Sequence, residues 1–140
     1  MSTDWMRDLH DMHKHFDFHR HMGKMDRTKL RKYLKFRIDF LQEELDEMKT
    51  AMDADDWKSA EETVDALIDL CVVAIGTLDV FNIDGQKAWD TVLMANMNKK
   101  AGIKPNRPNP LGLPDLMKPP DWKPPCHHDN LGRLKEIFDK

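Results

Sequence analysis

Two groups of acidic residues have the spacing that metal chemistry needs. Glu43, Glu44 and Glu47 form the first; Glu62 and Asp65 follow beyond a short break at Asp53-Ala54-Asp55. Within each group a spacing of three puts two carboxylates on one face of a helix. At about 1.5 Å per residue, Glu47 and Glu44 fall about 9 and 13 Å before Asp53, and Glu62 and Asp65 about 10 and 15 Å after Asp55. On two antiparallel helices these pairs stand at matching heights. Two unit charges ~4 Å apart repel by about 4 kcal/mol at an effective dielectric of about 20. Four converging carboxylates would therefore challenge a domain stable by only about 5–15 kcal/mol. They splay into water, hold protons or bind cations. An all-oxygen donor set suits hard ions such as Mg²⁺ or Mn²⁺, and a divalent metal site is the favoured reading. The competing reading is a solvated acidic face, with Ser59 and Glu62 matching a capping box at the start of the second helix.

The elements that must position these groups are read from apolar spacing. Leu30, Leu34, Leu41, Leu45, Met48 and Met52 recur at helical intervals, as do Trp57, Ala60, Val64, Leu67, Cys71, Ile75 and Leu78. Thr28 is placed as the cap of the first core helix, which runs to about Met52, and the second runs from Asp55 or Asp56 to about Phe81. The break between them is too short for anything but an antiparallel hairpin. A third core helix is expected from Asp84 to Lys100, ending on Asn96, Lys99 and Lys100. From Ala66 onward the second core helix is apolar nearly all round, interrupted mainly by Asp69, Gly76, Thr77 and Asp79. A helix of that kind needs more cover than one short chain supplies, so an obligate homo-oligomer, a dimer or tetramer, is expected.

The pattern EExxE followed after a gap by ExxD resembles the MazG-like all-α nucleoside triphosphate pyrophosphohydrolases, which include MazG, phosphoribosyl-ATP pyrophosphohydrolase-like and dimeric dUTPase-like proteins. Phe36 to Glu47 resembles the first core helix of that superfamily, Asp65-Ala66-Leu67-Ile68-Asp69-Leu70 the second, and Ala95-Asn96-Met97-Asn98-Lys99 a later Asn/Lys segment. The resemblance implies an antiparallel helical bundle with Glu44, Glu47, Glu62 and Asp65 as ligands of Mg²⁺, for which Mn²⁺ substitutes. It implies conversion of a nucleoside triphosphate, with a deoxynucleotide suggested, to monophosphate and pyrophosphate in nucleotide-pool control. Asn96 and Lys99 become phosphate contacts, and His19 a nucleotide contact by a looser match of Phe18-His19. Glu43, next to Glu44 and free of the ligand set, is the candidate general base. The non-enzymatic alternative is a helical oligomerisation module with an acidic groove. Di-iron bundles want Glu-x-x-His, and no His occurs between Met22 and Lys100.

The rest of the chain sets bounds. Its 140 residues carry 22 Lys and Arg against 25 Asp and Glu, a formal net charge of −3, which argues against a partner made of nucleic acid. Neither of the 2 cysteines, Cys71 and Cys126, suggests a disulfide framework, and the longest apolar run is too short to span a bilayer, so a cytoplasmic protein with no membrane partner is expected. Residues 4–21 read as one amphipathic helix holding His10, His13, His15, His19 and His21, of which His10/His13 and His15/His19 have metal-ligand spacing. All 8 prolines fall between Pro105 and Pro125, an extended arm with Trp122 in search of a groove, followed by a short helix from Asp129 to Phe138. The expected domains are a helical pyrophosphohydrolase domain over residues 1–104 and the proline-rich arm with its helix over 105–140.

Overall fold

The computed structural model describes residues 2–139. Asp4 accepts the N–H of Arg7 at 3.0 Å and caps α1 (Trp5–His15). Where one helix is expected over 4–21, Asp17 instead takes a left-handed conformation (φ 62°) and breaks the rod, so that α2 (Phe18–Gly23) sets off separately. A single residue in the left-handed region ends the run of main-chain bonds, and Asp tolerates it better than most. The cap of α3 (Arg27–Ala54) is Asp26, not Thr28, through a bond from the N–H of Lys29 at 2.9 Å.

The hairpin is present and all-α. Asp55, also left-handed (φ 51°), closes α3, and α4 (Trp57–Val80) begins at once. Its capping box pairs Asp56 with Ser59: Asp56 accepts the Ser59 N–H at 2.8 Å, and the Ser59 hydroxyl takes the Asp56 N–H. Glu62 is therefore no part of the box. It lies beyond the first turn and pairs with Lys58 at 3.3 Å.

Two compact bodies divide the chain, one made of residues 2–85 with 131–139, the other of residues 86–130. In the first, α1, α2 and α3 pack on α4, and the core lies where α3 begins and α4 ends. Met22, Leu30, Val80, Phe81 and Ile137 are buried there, against Tyr33, Leu34, Ile83 and Leu134. Full burial of a side chain such as Leu30 contributes about 1.5–3 kcal/mol. The expected C-terminal helix is a short 3-10 helix (Gly132–Glu136). The Arg133 guanidinium donates to the carbonyls of Met22 and Met25, and Arg31 donates to the carbonyl of Ile137 at 3.1 Å. These bonds tie the 3-10 segment to α2, to the turn that follows it and to α3.

In the second body α5 (Gly85–Met97) ends before Lys99, three residues short of the expected limit. Lys100 already belongs to β1 (Lys100–Gly102), which pairs antiparallel with β2 (Asp115–Met117) in the register Lys100↔Met117, Ala101↔Leu116, Gly102↔Asp115. The proline-rich segment thus returns on itself. Trp122 finds a partner as its composition suggested: its indole N–H donates to the carbonyl of Ala95 at 2.7 Å.

Candidate functional site

The acidic face is built on the middle of the α3/α4 hairpin. Glu44 is 8% exposed, whereas Glu43, Glu47, Glu62, Asp65 and Asp69 are exposed. Its Oε2 is buried without a hydrogen-bond partner. Burial, and then the charges of Glu47, Asp69 and Glu43, push its carboxyl above the usual range. Asp69 exerts its charge from α4, so acidic side chains of the two helices act on one another at this height. A buried carboxylate oxygen with three acidic neighbours and no donor is poorly satisfied by protein alone. It is the kind of group a cation neutralises, and its all-oxygen surroundings fit a hard divalent ion.

Glu62 is turned to Lys58, and Asp65 faces water. Among the described residues no three of Glu44, Glu47, Glu62 and Asp65 gather their ligand atoms within 4.8 Å of one another; the group that does is His10, His19 and Asp79. In the second body, Asn96 is half-buried near the end of α5, and the Lys99 ammonium lies 5.3 Å from the centre of the Trp122 ring, which Lys118 also approaches at 4.9 Å.

A second polar centre lies towards the end of α4. Asp79 receives His10 Nδ1 at 2.8 Å on one oxygen and His13 Nδ1 at 2.7 Å on the other. His19 Nε2 stands 2.9 Å from the same oxygen as His13, outside hydrogen-bonding geometry. Burial raises the Asp79 carboxyl, but the bonds from His13 and His10 and the charges of His19 and His10 outweigh it and leave it below its ordinary value. His13 is 2% exposed. Gly76 makes room for it: a Cβ there would meet His13 Cε1 at 3.1 Å and Arg37 Nη2 at 2.9 Å. Arg37 crosses from α3 to donate to Thr77 Oγ1 at 2.9 Å and to the carbonyl of Val73 at 3.0 Å. The sequence signal for Asp79 is its place in an apolar helix, where a lone carboxylate needs partners.

The fold is an all-α bundle that carries an acidic hairpin. The model of the phosphoribosyl-ATP pyrophosphohydrolase family matches residues 9–96, which takes in both acidic groups and Asp79. The chain belongs to this family, within the MazG-like nucleoside triphosphate pyrophosphohydrolase superfamily, and is a pyrophosphohydrolase acting on a nucleotide-like substrate. A search of curated proteins found no match. Among the described residues no single helix is long and apolar enough to cross a membrane.

Proposed function

We propose that the protein hydrolyses a nucleoside triphosphate, a deoxynucleotide among the candidates, to monophosphate and pyrophosphate with Mg²⁺ bound on the α3/α4 hairpin. The observation that carries this reading is the buried, unpaired oxygen of Glu44. Glu44, Glu47, Glu62 and Asp65 would hold the ion. Bound there, Mg²⁺ neutralises phosphoryl charge and lowers the pKa of a water. Glu43, exposed at the adjoining position of α3, takes the proton of the attacking water. Glu44 plays the opposite part. Away from solvent and with an oxygen that no donor satisfies, it serves as a ligand and not as the base. The resemblance assigns the phosphates to Asn96 and Lys99. The Nε2 of His19 is buried against Asp79 at 2.9 Å, so a nucleotide contact from this ring falls to Nδ1.

Self-association is part of the proposal. Trp57, Val64, Leu67 and Ile68 of α4 are exposed at 92%, 60%, 49% and 47%. Such a run of large apolar side chains on one helix favours a second copy as its cover. The family description favours one specific alternative substrate, phosphoribosyl-ATP.

A panel of ribo- and deoxynucleoside triphosphates and phosphoribosyl-ATP, with Mg²⁺ or Mn²⁺, tests both substrates. Pyrophosphate release from a triphosphate, abolished by Glu44→Gln, is expected. Turnover confined to phosphoribosyl-ATP transfers the site to that substrate. Orthophosphate release, or full activity in Glu44→Gln, overturns the mechanism, and no turnover of any substrate favours the interaction module.

A further inference from the structure

We propose that His10, His19 and Asp79 form a binding site for one borderline transition-metal ion, Zn²⁺ foremost, separate from the carboxylates of the hairpin. One ligand atom from each of the three lies within 4.8 Å of the other two. Bonds of about 2.0–2.2 Å at tetrahedral angles set ligand atoms about 3.3 Å apart. The His10 and His19 nitrogens stand 2.8 and 2.9 Å from the Asp79 oxygens, so an ion enters as the imidazoles draw back from the carboxylate.

The donor chemistry selects the metal. Two imidazoles and one carboxylate are a poor set for Mg²⁺, which prefers oxygen, and a common one for Zn²⁺. His19 supplies the second observation. Its Nε2 is buried, faces a carboxylate oxygen and makes no hydrogen bond. A cation between the two atoms would bond both and give the nitrogen the partner it lacks. His13 completes the arrangement from behind: buried, it donates Nδ1–H to Asp79 and fixes the carboxylate. An outer partner of this kind orients a ligand and tunes its basicity. The His10 side chain is 53% exposed, which leaves an entry path and an open position for water.

The three ligands come from three helices. His10 belongs to α1, His19 to α2 and Asp79 to α4. An ion there clamps the N-terminal helices onto the hairpin and links metal supply to the order of that segment. This site stands independently of the pyrophosphohydrolase reading.

The full chain, stripped with a chelator and titrated calorimetrically with Zn²⁺ in excess Mg²⁺, tests it. One equivalent of Zn²⁺ per chain is expected, with a rise in the unfolding temperature that Mg²⁺ alone does not give. His10→Ala and His19→Ala each weaken binding by about 10–100-fold, at least the effect of losing an outer partner. His10 is exposed, so its replacement leaves the bundle folded, which circular dichroism checks. Cys126→Ser with His128→Ala, which removes the other Cys/His pair, leaves Zn²⁺ binding intact. Full affinity in the His10→Ala/His19→Ala double variant, or no stoichiometric uptake by the unaltered chain, overturns the proposal and leaves the imidazoles as holders of Asp79 only.

Discussion

Gly132 lies directly against the main chain of Phe81. A Cβ on Gly132 would come 2.1 Å from the Phe81 carbonyl oxygen, which accepts the N–H of Arg133 at 2.7 Å. Gly132 is also left-handed, with φ 51°. Gly132→Ala meets both obstacles, and the opposing atom is backbone. Left-handed strain of about 1–2 kcal/mol and overpacking of about 1–3 kcal/mol give an expected loss of about 2–5 kcal/mol in denaturant unfolding. Gly112→Ala is the control: φ is +66° and nothing lies within 4 Å, so only the first cost applies.

Glu44→Gln separates stability from function. The amide keeps the shape of the side chain and removes a buried charge that Glu47, Asp69 and Glu43 oppose. In chelator the variant is expected to be more stable than the unaltered chain by about 1–2 kcal/mol. Mg²⁺ is expected to stabilise the unaltered chain and not the variant. Equal Mg²⁺ stabilisation of the two in thermal melts would remove Glu44 from the ion's ligands.

Cys126 is expected to react as a thiolate at unusually low pH. Its exposed thiol is held below the ordinary cysteine range by the His128 N–H and then by the His128 ring, 3.0 Å from Sγ. A depressed pKa keeps the thiolate populated as pH falls, until the lowered value is crossed. Iodoacetamide labelling followed by mass spectrometry checks this. The pH profile of Cys126 sits below that of a free thiol at about 8.5, and His128→Ala moves it up.

Trp122 holds the second body together at one point. Trp122→Phe keeps a ring for Lys99 and Lys118 but removes the bond to the Ala95 carbonyl. A loss of about 1–3 kcal/mol is expected, since that carbonyl belongs to a buried residue. Faster amide exchange from α5 to β2, with α3 and α4 unchanged, is the signature. Uniform exchange across the chain would argue against a local role.

The hairpin was legible because Leu30 to Met52 and Trp57 to Leu78 repeat at helical spacing over long segments, and because Asp53-Ala54-Asp55 leaves the chain no room for another connection. Glu44 was legible through its neighbours' spacing, but its burial was not: Glu43 and Glu44 are the same residue type, one step apart, and only the packing of α4 distinguishes them. The break at Asp17 was hidden because Phe16 and Phe18 continue an apolar pattern through it. Strands β1 and β2 are three residues each and depend on partners far along the chain, so no local pattern marks them. The histidines of α1 and α2 were visible as potential ligands. Their companion Asp79 reads in the sequence only as an interruption in an apolar helix, because the contact joins residues about 60 to 70 positions apart.

The core residue Ile137 has a consequence for the newborn chain. Leu30, Val80 and Phe81 are made early, yet the Ile137 side chain that covers them is added only after the whole of residues 86–130. Until then the helical body stands open at one end, with its oiliest surface offered to chaperones or to other nascent copies.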